Sequence, residues 1–73
     1  MAFLDVSFIK ANYPAGTRIE LISTSDPFTS IYPGDKGTVD YIDDAGTIHV
    51  HWDCGSSLGL IYGEDSFKKV KED

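Results

Sequence analysis

Seventy-three residues, 41% of them apolar, suffice for one small domain and are too hydrophobic for a disordered tail. Twelve acidic against six basic side chains leave a net charge of −6, which opposes binding to a phosphate backbone, because such binding draws on clustered Lys and Arg. A single cysteine rules out an internal disulfide, and no segment reaches the roughly twenty apolar residues that span a bilayer.

The first predicted element is a short helix over residues 5–12, with Asp5 as N-cap and Pro14 discouraging helical geometry at Tyr13. A helix this short is marginal alone, so it is expected to persist by laying Phe8 and Ile9 across an open end or side of a barrel. Ala15 and Gly16 then turn the chain into a strand over residues 17–23, where Ile19 and Leu21 share the inner face and Arg18 and Glu20 the outer one. Residues 24–36 show no clean period and contain two turn formers, Asp26-Pro27 and Pro33-Gly34, which makes them the longest loop.

From Pro33 to Gly59 glycine-containing turns punctuate short β-branched and aromatic runs, the pattern of consecutive antiparallel strands joined by hairpins. The run from Gly37 to Ile42 forms a second strand, but Val39 and Ile42 fall on opposite faces of a regular one. A bulge near Asp40 or Tyr41 reconciles them. After a turn at Asp43-Asp44-Ala45-Gly46, residues 47–52 alternate, with Ile48, Val50 and Trp52 inward and His49 and His51 outward. Asp53-Cys54-Gly55-Ser56 turns the chain again. A fourth strand follows over residues 57–62, where Gly59 suggests a close backbone approach, then a 3₁₀ turn over 63–66 and a brief closing strand over 67–70. The expected fold is all-β: a small five-stranded SH3-like barrel over residues 14–73 with a short N-terminal helix, residues 1–13, packed on it.

Chemical machinery is sparse. His49, His51 and Asp53 lie at i, i+2 and i+4 on one strand face with Cys54 adjacent, a spacing able to gather metal ligands. The open face and the turn role of Asp53 argue against a metal, and no metal or cofactor is expected. Asp43-Asp44 reads as a turn rather than an acid/base pair. Cys54, at a turn tip beside acidic residues, lacks the electropositive setting of an activated nucleophile. No glycine run matches a phosphate-cradling loop, so the chain is expected not to be an enzyme.

Surface recognition remains. Asp26, Phe28, Ile31 and Tyr32 on the long loop and Tyr62, Glu64 and Asp65 at the fourth-strand exit would be neighbours on one side of such a barrel. Aromatics beside carboxylates suit a partly apolar, basic partner such as an extended proline-rich or Arg/Lys-bearing peptide. Phe28 and Tyr32 fit equally well as caps folded onto the core. Two other classes compete with this one: a nucleic-acid-associated barrel, which the charge opposes, and an acidic mimic of nucleic acid, which would need a continuous negative stripe through Asp40, Asp43, Asp44 and Asp53. The basic cluster Lys68, Lys69 and Lys71 reads as a solvated end beside Glu72 and Asp73. Neither a signal peptide nor a membrane anchor is read at the N-terminus, where Asp5 interrupts the apolar run, and the lone cysteine points to the cytoplasm.

The ordered set Tyr13-Pro14-x-Gly16-Thr17-Arg18-x-Glu20-Leu21, Asp26-Pro27, Gly37-Thr38-Val39, Asp43-Asp44-x-Gly46, Trp52-Asp53-x-Gly55-Ser56 and Tyr62-Gly63-x-Asp65 resembles the family catalogued as domain of unknown function 4314. The resemblance runs from about Tyr13 to Val70. It implies a small SH3-like domain of bacterial, phage or mobile-element origin without an established activity. Cys54 departs from that pattern, which usually has Asn before the glycine.

Overall fold

The computed structural model describes residues 6–24 and 31–71. In chain order they form α1 (Val6–Asn12), β1 (Arg18–Ser23), β2 (Lys36–Ile42), β3 (Thr47–Trp52), β4 (Leu60–Ile61) and β5 (Ser66–Lys69). The five strands make one antiparallel sheet in the order β4-β3-β2-β1-β5. The expected N-cap, Asp5, and the loop residues Asp26 and Phe28 lie outside the described residues.

Helix α1 turns Val6 and Ile9 toward the sheet, and Ile9 is fully buried. Its last turn closes through Tyr13 N–H donating to the Ile9 carbonyl at 2.9 Å, while Asn12 Nδ2 donates to the Phe8 carbonyl at 2.8 Å. Pro14 then stops the helix. Phe8 departs from expectation: adjacent to Ile9 on a helix, it points about 100° away, and it stays 51% exposed.

The bulge expected near Asp40 is present. Val39 pairs with Val50 and Tyr41 with His49, so Asp40 is the extra residue on β2, and both Val39 and Ile42 reach the core. A second irregularity, between Leu21 and Ser23 against β5, bends β1 where it enters the long loop. The alternation in β3 is as read, with Ile48, Val50 and Trp52 buried. Trp52 satisfies its indole N–H on the Leu58 carbonyl at 2.9 Å, so its burial leaves no orphan donor. In the turn that follows, Gly55 takes the positive φ of 95° and no non-glycine residue among those described does. Cys54 therefore need not adopt the left-handed conformation, which it tolerates less well than glycine or asparagine.

The expected closed barrel is corrected to an open sheet. β4 and β5 are its two edges, and among the described residues no ladder pairs them; the isolated bridge between Tyr62 and Asp65 belongs to the turn that links them. Closure fails because the fourth strand is two residues long rather than six. Residues 57–59 leave the ladder so that Leu58 can meet Trp52, and Gly59 lies so close to β3 that a Cβ there would fall 2.8 Å from Thr47 Cγ2. At the other end the Asp65 carboxylate accepts the Ile61 N–H at 2.8 Å and turns the chain away. Coiling from the two bulges curves the sheet around a core of Ile9, Ile19, Leu21, Ile31, Val39, Ile42, Ile48, Val50, Trp52 and Leu60, and no polar side chain is buried among the described residues.

Gly37, buried against β3, leaves no room for a side chain. A Cβ there would stand 2.6 Å from Val50 Cγ1 and 3.0 Å from both the His51 carbonyl oxygen and Trp52 Cε3. Gly37→Ala is expected to cost about 1–3 kcal/mol through overpacking, measured as a lower urea midpoint with unchanged slope. A midpoint equal to wild type would show that β2 and β3 can separate freely.

Candidate interaction surface

Four aromatic rings gather where α1, the α1–β1 connection, the β4 exit and β5 meet. Tyr13 lies 5.3 Å from Phe67 and 6.3 Å from Tyr62, and Tyr62 lies 6.3 Å from Phe8 and 6.4 Å from Phe67, centroid to centroid. The Phe8–Tyr62, Tyr13–Phe67 and Tyr62–Phe67 pairs meet edge to face, the arrangement that the ring quadrupole favours. Lys69 Nζ stands 5.1 Å from the centre of the Tyr13 ring, within cation–π range. Burial, and after it the nearby Tyr62, raises the Tyr13 phenol above its ordinary pKa. Phe8 and Tyr62 carry the cluster to the surface, Tyr62 at 37% exposure, and Glu64 is exposed two residues further on.

Only the start of the long loop meets the turn after β4 among the described residues. Ser23 pairs with Ser66, and Thr24 Oγ1 donates to Asp65 Oδ1 at 2.9 Å. Their side chains nevertheless divide. Ile31 is 1% exposed and belongs to the core, because the returning loop is drawn against β1 by Gly34 N–H to the Leu21 carbonyl and Leu21 N–H to the Asp35 carbonyl, each 2.8 Å. That removes it from any binding surface. Tyr32 is 67% exposed, with its N–H held by Asp35 Oδ2 at 2.9 Å, so it does not cap the core. Asp65 spends its carboxylate on Thr24 and on the Ile61 amide, a structural role.

Sequence reasoning passed over Tyr13 and Phe67 and assigned Phe8 to the core. A signal for Phe8 was available: on a helix it stands about 100° from Ile9, so with Ile9 and Val6 facing the sheet it falls at the margin of the buried stripe.

The other carboxylates singled out from the sequence are mostly engaged. Asp53 forms a bidentate pair with Arg18, 2.8 Å to Nη1 and 2.6 Å to Nη2, while the same guanidinium donates to Thr38 Oγ1 at 3.0 Å. One arginine thereby joins β1, β2 and the β3–β4 turn. Asp43 Oδ1 accepts the Ala45 and Thr47 amides at 3.0 Å each, and its Oδ2 meets His49 Nε2 at 2.9 Å. Asp44 lies 3.5 Å from Lys10. The negative stripe through Asp40, Asp43, Asp44 and Asp53 is thus broken by cations at Asp44 and Asp53, while Asp43 is engaged by a histidine and two amides, which weakens the mimic reading. His49 and Asp53, two of the three side chains with ligand spacing, are each bound to a different partner.

The chain matches the family described as domain of unknown function, DUF4314, over residues 4–70. It belongs to that family. Comparison with curated proteins and with solved structures finds no match. Among the described residues of this DUF4314 domain, no helix is long and apolar enough to cross a membrane.

The Arg18 guanidinium holds the Asp53 carboxyl below the usual range, and the His49 hydrogen bond, followed by the Thr47 amide, does the same for Asp43. A depressed folded-state pKa contributes stability above the unfolded value near about 4, and that contribution is lost as pH falls through the folded value. Asp43→Asn and Asp53→Asn are expected to lower the melting temperature at pH 6 and to flatten its decline between pH 5 and 2. Parallel melting curves for wild type and both variants across that range would refute the assignment.

Proposed function

We propose that this DUF4314 domain is a non-enzymatic interaction module that binds an extended segment of another protein. The observation that carries the reading is the aromatic cluster of Phe8, Tyr13, Tyr62 and Phe67, which reaches the surface at Phe8 and Tyr62, with the exposed Glu64 two residues further along the chain. Rings held edge to face present apolar area at little further entropic cost, and a neighbouring carboxylate favours a basic residue in the bound chain. Asp43, Asp53, Asp65 and His49, the groups best suited to acid–base chemistry, are committed to architectural bonds. That supports a binding role over a catalytic one.

The sheet order, a meander whose first strand lies between the second and the last, supports reading the domain as an SH3-like topology left open between β4 and β5. Phe8 of α1 lies against Tyr62 at the β4 exit, so the helix is part of the recognition surface in this reading. The lone cysteine, exposed and unpaired, fits a reducing compartment.

The test is selection of a random peptide library on the immobilised domain. Enriched peptides should bind wild type in titration and weaken about tenfold or more with Glu64→Lys or Phe8→Ser, while Glu64→Lys melts like wild type. Failure to enrich any peptide, or enriched peptides indifferent to both changes, would end the proposal for this surface.

A further inference from the structure

A groove of about 250 Å³ lies on the other side of Tyr13. Lys10, Tyr13, Pro14 and Ala15 form one wall, and Asp40, Tyr41 and Ile42 of the β2 bulge form the other. It is smaller than the roughly 300–1,000 Å³ of small-molecule sites and open to solvent, which suits one or two side chains of a longer chain.

Its walls are rigid for reasons visible in the contacts. Tyr41 is 53% exposed, yet its ring stacks on His49 at 4.3 Å and 7° between planes. His49 is held in turn by Asp43, whose other oxygen is fixed by the Ala45 and Thr47 amides. This chain of support starts in a turn backbone and ends at an aromatic face presented to solvent. On the facing wall the Pro14 carbonyl accepts both the Thr17 amide at 3.0 Å and the Thr17 hydroxyl at 2.6 Å, while Phe67 packs against the Tyr13 ring. A solvent-facing aromatic supported in this way has already lost the freedom that binding would otherwise remove.

Charge indicates the occupant. Lys10 is paired with Asp44, whereas Asp40, the extra residue of the bulge, is exposed and its carboxylate has no hydrogen bond or ion pair among the described residues. The groove therefore offers two tyrosines and a proline beside one uncompensated carboxylate, on a chain of net charge −6 that steers basic partners toward it. We propose that this groove seats a proline or aliphatic side chain of an extended basic peptide from a partner protein, with Asp40 receiving the adjacent Arg or Lys. The inference rests on the binding-module reading and names a second contact region, joined through Tyr13 to the aromatic cluster.

The probe is a synthetic proline-rich dodecamer with arginine at both ends, titrated into the full-length, ¹⁵N-labelled protein and followed by amide shifts. The expected result is saturable shifts at Tyr13, Asp40, Tyr41 and Ile42, weakened about tenfold or more by Asp40→Lys and by Tyr41→Ala, and absent for the same dodecamer with glutamate in place of arginine. Asp40→Lys, an exposed change, should melt like wild type and keeps the test valid if Tyr41→Ala unfolds. Shifts confined to Phe8, Tyr62 and Glu64 would overturn the groove while leaving the binding-module reading intact. Absence of shifts, equal binding of the glutamate dodecamer, groove shifts produced only by single-stranded DNA, or shifts that track protein concentration alone would each overturn the groove proposal. The library selection then decides the broader reading independently.

Discussion

One extra residue in β2 organises much of this domain. With Asp40 inserted opposite β3, Val39 and Ile42 both turn inward where a regular strand would expose one of them. The same irregularity bends the strand so that the Val39 carbonyl accepts the Gly16 amide and the Val39 amide donates to the Thr17 carbonyl, each at 2.8 Å. These bonds anchor the connection between α1 and β1, and with it Tyr13 and Pro14. Thus the residue that completes the core also positions both walls of the groove, and Asp40 itself is left outside with its charge uncompensated.

The acidic composition looks different once its members are placed. Asp53 clamps three elements through Arg18, Asp43 ties a hairpin turn to His49 and two amides, and Asp65 ends β4 while fixing the start of the long loop. A thin domain of this size has little apolar area to spare, and carboxylates that accept backbone amides define turns which hydrophobic packing alone would leave loose. Asp40 and Glu64 remain exposed, the former lining the groove with Tyr13 and Tyr41, the latter two residues after Tyr62 in the chain. The net charge therefore overstates how much of the surface is uncompensated acid.

Aromatic residues show the same division of labour. Trp52 is wholly interior and hydrogen-bonded. Tyr13 is intermediate: it packs on Phe67 beneath Lys69 and also lines the groove, so it connects the core margin to both proposed contact regions. Tyr41 is the inverse case, an exposed ring made rigid by a histidine and a turn aspartate rather than by burial.

Strand alternation, hairpin turns and the bulge were legible in the residues, because each depends on local rules: period two in β3, glycine in the turns, and the mismatch of Val39 with Ile42. The resemblance to the DUF4314 family was legible for the same reason, since its pattern consists of those turn residues. Barrel closure was not, because the length of β4 depends on where the Leu58 carbonyl meets Trp52 and how closely Gly59 approaches Thr47, contacts between segments that no local pattern encodes. Nor were the interior position of Ile31, the exposure of Phe8 or the support of Tyr41 by His49 and Asp43. Local sequence determines how each stretch of backbone can bend; which side chains are left facing solvent is decided only when strands and helix compete for the same limited interior.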